Sequence, residues 1–138
     1  MQLMSNAVNQ KLYGCSAMLK RCLLTVVTNG IPLAVSLSEK GVKTYCTGGE
    51  IQQSSLGYAG NFAQMFVGNF NFDICFFSCH ALGNDGKIMD TSLEENIIRM
   101  TAIKKSKKSA FLCDSSKIGL YAPYNLADKE DIDYIITE

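Results

Sequence analysis

The chain has no surplus of either charge: its 138 residues hold 13 Lys and Arg against 13 Asp and Glu. A protein that binds nucleic acid by its overall field needs a basic surplus, so composition does not argue for that function. No apolar run approaches the ~20 residues of a membrane-spanning helix, and no signal-peptide pattern is visible. No Cys-x-x-Cys pair occurs, and Cys75, Cys79 and His80 match no common zinc spacing. No metal or cofactor is expected. The single histidine, His80, has no Gly-x-Ser-x-Gly or long Gly-rich phosphate loop to accompany it. Cys79 beside it is not a dyad, because adjacent residues at a strand end usually point apart. Repeats, low-complexity segments and internal linkers are also absent.

What remains is a globular composition, 47% hydrophobic and 19% charged, in a chain long enough for one domain. Cys46, Cys75 and Cys113 lie inside apolar runs, where a free cysteine behaves as a small hydrophobe, and a reducing cytoplasm is expected. The stretch from about Met1 to Lys20 reads as a helix, with Met1-Gln2-Leu3-Met4 in mid-helix. Because the chain opens there and stops after Ile135-Ile136-Thr137-Glu138, residues 1–138 are expected to be a single domain truncated at both ends.

From Leu23 onward, strand-like and helix-like segments alternate. Strands are expected at Leu23–Val27, Val42–Thr47, Phe72–Phe77, Ser109–Cys113 and Ile132–Thr137. Helices are expected at Ile31–Lys40, with proline in the first turn, from Phe62 to about Phe70, and from Ser92 to about Ser106. Ser92 and Glu95 there satisfy the capping-box pattern. Gln52 to Gly60 reads as a polar loop, and Asn84-Asp85-Gly86-Lys87 as a turn. Lys104, Lys105, Lys107 and Lys108 read as a solvated helix end. The alternation implies an α/β fold, a mostly parallel sheet flanked by helices.

Four strands stop in small or polar loops: Thr28-Asn29-Gly30, Thr47-Gly48-Gly49, Ser78-Cys79-His80 and Asp114-Ser115-Ser116-Lys117. In a parallel sheet these loops share one edge, where ligands of open α/β sheets bind. Any one of them is explained as a turn. Together they point to a small anionic ligand, with glycine backbone and the helix start after Gly30 facing it and Lys117 as a point charge for phosphate.

These residues resemble a known family. Leu24-Thr25-Val26-Val27-Thr28-Asn29-Gly30, Gly48-Gly49-Glu50, Asn71-Phe72-Asp73, Glu94-Glu95 with Arg99, Asp114-Ser115-Ser116-Lys117-Ile118-Gly119 and Ile132-Asp133-Tyr134-Ile135-Ile136-Thr137 occur in the order of the carboxy-terminal effector domain of DeoR-type bacterial transcription regulators. The resemblance implies a sugar-phosphate sensor on the fold of ribose-5-phosphate isomerase and coenzyme A transferases. It implies a repressor role in carbohydrate metabolism, exercised as a homodimer or homotetramer. DNA would be reached only through an N-terminal winged helix-turn-helix not present here, and no membrane partner is implied. The implied ligand contacts are Thr28, Asn29, Gly30, Gly48 and Gly49 as backbone or hydroxyl groups. Lys117 would meet phosphate or a ring oxygen, and His80, Glu95 and Asp114 would read sugar hydroxyls. His80 stands where many members carry an aspartate. The family's phosphate loop, which follows its first strand, is expected just before Met1. Two rivals stay open: a sugar-phosphate isomerase or deaminase on the same fold, and an assembly module that binds no ligand.

Overall fold

The computed structural model describes residues 2–4, as backbone, and residues 24–137. In chain order these form β1 (Gln2–Met4), β2 (Thr25–Thr28), α1 (Ile31–Glu39), β3 (Lys43–Cys46), β4 (Glu50–Gln52), β5 (Gly57–Ala59) and α2 (Asn61–Gly68). Then come β6 (Phe72–Phe77), β7 (Ala81–Leu82), β8 (Lys87–Asp90), α3 (Leu93–Lys104) and β9 (Ser106–Cys113). A short 3-10 turn (Ser115–Lys117), β10 (Tyr124–Asp128), a second 3-10 turn (Lys129–Asp131) and β11 (Tyr134–Thr137) complete the order.

Six strands make one sheet in the order β11-β9-β6-β1-β2-β3. Every pairing within it is parallel. The alternating sequence therefore yields the expected architecture, a parallel sheet flanked by helices. Burial on both faces explains the near-continuous apolar strands. Adjacent Val26 and Val27 point to opposite faces and are both fully buried. Val27 joins Val67, Cys75, Phe77, Ile98, Ala102 and Phe111 beneath α2 and α3, where the Phe77 and Phe111 rings stack at 5.3 Å. Val26 joins Leu33, Leu37 and Val42 beneath α1.

The chain start departs from expectation. Gln2–Met4 is not helical but a central strand, with Leu3 opposite Val27 on one side and Cys75 on the other. Two parallel neighbours supply ladder partners that override the weak helical periodicity of these residues. The rest of the helix expected to about Lys20 lies outside the described residues.

Smaller departures follow the same logic of partners far away in sequence. The expected polar loop at Gln52 to Gly60 contains an antiparallel hairpin, β4–β5. β7, β8 and β10 form a separate three-stranded antiparallel sheet, and the turn between β7 and β8 has Gly86 at φ +85°, as the Asp-Gly pair anticipates. α3 ends at Lys104, so Lys107 and Lys108 are not on a helix end. They stand on β9 and pair with Asp73 and Asp133, each at 2.8 Å.

Candidate functional site

The sheet order runs outward from β1 through β2 to β3, then returns to the other side of β1 and runs outward through β6 and β9 to β11. The reversal falls between β1 and β6. In open α/β sheets the crevice beyond the strand ends at such a reversal is where ligands lodge. The loops singled out in the sequence fall on that edge in two groups, on either side of the end of β1. With strands spaced about 4.8 Å apart, the ends of β2 and β6 lie about 10 Å from each other.

The first group follows β2 and β3. Thr28 is fully buried and its hydroxyl accepts from Gly30 N–H at 3.0 Å. Thr47 N–H donates to the Thr28 carbonyl at 3.0 Å, joining the two loops. Asn29 Nδ2 donates to the Tyr58 carbonyl at 3.1 Å, and Tyr58 N–H returns a bond to the Asn29 carbonyl at 2.7 Å. The β4–β5 hairpin thereby lies over the end of β2. It also occupies the start of α1, since Ile31 N–H donates to the Leu56 carbonyl at 3.0 Å. Pro32 has no N–H to offer. The positive end of α1 thus faces this edge as anticipated, but with fewer free donors than an ordinary helix start.

The two glycines after Thr47 differ. Gly48 adopts φ +68° with open space where a Cβ would stand, whereas Gly49, at φ +117°, would place a Cβ 2.7 Å from the Ala59 carbonyl. Close packing against β5 accounts for Gly49; Gly48 leaves room for something else.

The second group follows β6 and β9. Half-buried Lys117 reaches across to Ser78, its Nζ donating to Oγ at 3.1 Å. Asp114 starts the 3-10 turn by accepting Ser116 N–H at 2.9 Å. Gly119 N–H donates to the Leu82 carbonyl at 2.7 Å, which fixes the following loop against β7. Between that loop and the β7–β8 turn lies an open cleft of about 510 Å³, walled by Asn84, Asp85, Lys87, Met89, Tyr121 and Asn125. The His80 side chain is exposed on this side of the edge, and its N–H donates to Asp90 Oδ2 at 3.1 Å.

Glu95 is differently engaged. Ser92 Oγ accepts Glu95 N–H at 3.3 Å, as the capping pattern requires. The reciprocal bond goes elsewhere, because Ser92 N–H donates to Asp90 Oδ1 at 3.2 Å. The Glu95 carboxylate instead accepts from Ser55 Oγ at 2.7 Å and Arg99 Nη2 at 2.6 Å. Arg99 also donates to Asp90 Oδ2 at 3.0 Å and to Asn96 Oδ1 at 3.2 Å. Asp90 and Asn96 are the residues sequence reasoning missed. The signal for Asp90 was its place two residues before a helix cap, where a short carboxylate bonds the local backbone. This buried network joins the hairpin, through Ser55, to α3 and β8.

Cys79 sits within the field of the same groups, Arg99, Asp90, Lys117 and Glu95. Burial nevertheless dominates and pushes its thiol up to about 12, so it is inert at neutral pH. Cys75 is pushed up to about 12 for the same reason. Among the described residues no group of three or more His, Cys, Asp or Glu is placed to hold a metal ion. No helix among them is long and apolar enough to cross a membrane.

Residues 12–138 match the family model described as the DeoR C terminal sensor domain. Among curated proteins, the uncharacterized HTH-type transcriptional regulator YulB of Bacillus subtilis (strain 168) is 28% identical over 116 residues, covering 83% of this chain and 45% of that protein. The HTH-type transcriptional regulator GlpR of Haloferax volcanii is 29% identical over 112 residues, with 81% and 44% covered. A lactose phosphotransferase system repressor of Staphylococcus aureus (strain NCTC 8325 / PS 47) is 30% identical over 99 residues, with 70% and 39% covered. The chain thus spans less than half the length of these relatives. Among solved structures, eIF2B delta from Chaetomium thermophilum superposes with a TM-score of 0.62 at 16% identity, covering 98% of this chain and 48% of that one. That likeness concerns the fold alone, the ribose-5-phosphate isomerase-like arrangement of the sheet.

Proposed function

Because the chain belongs to the family of DeoR C-terminal sensor domains, we propose that it is the effector-binding part of a bacterial transcription regulator and that its effector is a phosphorylated sugar or polyol. The regulator is a cytoplasmic repressor that reaches DNA through a separate winged helix-turn-helix. The observation that carries this reading is the placement of two loop groups on either side of the sheet's order reversal, with Lys117 standing over Ser78 at 3.1 Å. A sugar phosphate is long enough to touch both groups.

In this reading Lys117 supplies the point charge for the phosphate. Thr28, Asn29, Gly30, Gly48 and Gly49 present backbone along the other side, and the open face of Gly48 is the closest approach. Asp114 and His80 face the sugar hydroxyls. Glu95 contributes through whatever accepting capacity Ser55 and Arg99 leave. The domain acts by differential affinity, because an effector shifts an equilibrium between two arrangements only by binding one of them more tightly. It is a sensor and not an enzyme.

A thermal-shift screen of the chain against a panel of sugar phosphates tests this. A ligand at a hundred times its Kd stabilises the fold by about 2.7 kcal/mol, or roughly 9 °C for a domain of this size. The expected result is a hit that Lys117→Ala abolishes while leaving the unliganded melting temperature nearly unchanged. No shift with any member, in a folded protein, overturns the sensor reading. Turnover of ribose 5-phosphate or glucosamine 6-phosphate that disappears in Lys117→Ala favours an isomerase or deaminase instead.

A further inference from the structure

The cleft between the β7–β8 turn and the loop that begins at Gly119 has no part in the effector reading, because it contains none of the residues assigned there. Its volume of about 510 Å³ lies inside the ~300–1,000 Å³ range of small-ligand pockets. Backbone bonds fix both walls. Gly83 N–H donates to the Lys87 carbonyl at 2.8 Å and Gly86 N–H to the Gly83 carbonyl at 3.0 Å, while Gly119 N–H holds the opposite loop to the Leu82 carbonyl at 2.7 Å. Two glycines keep the space between the walls clear. A Cβ at Gly83 would stand 2.5 Å from Asp85 Oδ1 and 3.1 Å from Met89 Cε. One at Gly119, whose φ is +81°, would meet Asn84 Oδ1 at 3.4 Å. The cleft is therefore formed before any ligand arrives.

The chemistry of the lining selects the occupant. Tyr121 is 81% exposed, and with Leu120 and buried Met89 it supplies the apolar part of the lining. The polar part is Asn84 and Asp85 from the β7–β8 turn and Asn125 from β10. The Asn84 and Asn125 side chains make no hydrogen bond among the described residues. Asp85 Oδ1 accepts the Lys87 N–H at 3.2 Å, which leaves its other oxygen able to accept. Lys87 is the one cation of the lining, and it pairs with Asp128 at 3.8 Å. An anion would meet the Asp85 carboxylate with no cation free to offset it, so a phosphate is disfavoured. A wholly apolar ligand would take the amides and the carboxylate from water without replacing their bonds. A sugar ring satisfies both parts of the lining. Its C–H face packs on one aromatic ring. Its hydroxyls both donate and accept, which matches two amides and a carboxylate. A nucleobase is flat on both faces and wants a second flat surface opposite the first, which a lining with a single aromatic ring does not give.

We propose that this cleft binds a sugar that carries no phosphate, with Tyr121 against the ring and Asn84, Asp85 and Asn125 on its hydroxyls. The proposal stands apart from the phosphorylated effector assigned to the strand ends, since the two sites share no residue and select opposite charge.

Chemical-shift titration of the isotopically labelled chain with D-glucose, D-galactose, D-fructose and D-ribose tests it, with adenine as a flat ring lacking hydroxyls. The expected result is saturable shifts with at least one of the sugars, centred on the amides of residues 83–87 and 119–125. Tyr121→Ala is expected to raise the Kd by about tenfold, and Asn84→Ala by about fivefold. Both positions are exposed, so the variants should melt as the wild type does. Tyr121→Phe, which keeps the ring, should bind like the wild type. No saturable shift with any of the four sugars, in a folded chain, overturns the proposal. So does binding that Tyr121→Ala leaves intact. Shifts centred instead on residues 28–30 and Gly48 would place the sugar at the strand ends and overturn the assignment to the cleft. Saturable binding of adenine and of no sugar overturns the ligand class.

Discussion

Arg99 is the residue that ties two nearly buried carboxylates together. Its side chain is 5% exposed, and it holds Asp90 and Glu95, themselves only 10% and 12% exposed. Breaking such a buried pair by removing one partner leaves an uncompensated charge and costs about 3–5 kcal/mol. Arg99→Ala removes the partner of two carboxylates at once. Chemical denaturation is therefore expected to show a loss in that range, with a smaller loss in Arg99→Lys, which keeps the charge but cannot reach both acids in the same planar geometry. A loss below about 1 kcal/mol would mean that the network is offset by its own desolvation. The sequence showed the terms of this network unevenly. Ser92 and Glu95 stood out because capping is a local rule. Asp90 and Ser55 did not, because what they do depends on a helix face and a hairpin brought to them by the fold. The same contrast holds at the edge where the strand-end loops gather, where Lys117 was legible as a strand-end cation but its seat on Ser78, 39 residues away, was not.

Strands were recognised where the side chains themselves favoured an extended chain, as in Thr25–Thr28 and Phe72–Phe77. They were missed where pairing alone makes them strands. Gln2–Met4 has no β-branched residue and is extended because β2 and β6 bond it from both sides. The start of β9 was read as helix for a similar reason: Ser106, Lys107 and Lys108 have no apolar pattern, and their place in the sheet is supported from neighbouring elements. Lys107 meets Asp73 on β6. Lys108, with the N–H and hydroxyl of Ser109, holds Asp133 just before β11.

These pairs make an element-scale prediction about acid. Chiefly through the hydrogen bond from Lys107, the Asp73 carboxyl is held down to about 2, against 3.8 for an ordinary aspartate. Lys108 and the Ser109 N–H lower Asp133 in the same sense. A carboxyl whose folded-state pKa is depressed contributes stability that is complete above the unfolded value and is lost as pH falls through the folded one. For Asp73 the loss therefore falls between about 3.8 and about 2. Thermal melts across that interval should show a steeper decline for the wild type than for Asp73→Asn/Asp133→Asn. Both groups are exposed, so added salt should narrow the difference. Parallel declines for the two proteins would show that neither pair contributes to acid stability.

On the scale of the whole molecule, the sheet has two halves that meet at one strand. β2 and β3 lie on one side of β1, and β6, β9 and β11 on the other, with no pairing between β2 and β6. Beyond β1, the β4–β5 hairpin joins the halves at the edge where the strand-end loops gather. It holds the end of β2 through Asn29 and Tyr58, and it holds α3 through Ser55 and Glu95. A ligand bound across the order reversal would add a third link between the same two halves, next to the hairpin. Local opening at this edge would then require breaking contacts on both sides, so its free energy should rise in both loop groups together. Hydrogen exchange tests this with the sugar phosphate that raises the melting temperature. Protection is expected to increase at the Thr47 amide, bonded to the Thr28 carbonyl, and at the Lys117 amide, bonded to the Asp114 carbonyl. It should also increase at the Tyr58 amide on the hairpin, which touches no ligand in this arrangement but shares the Asn29 contact. Protection confined to the Asp114–Lys117 turn and the neighbouring cleft would mean that the effector binds beside β9 alone. The hairpin would then have no part in transmitting its presence.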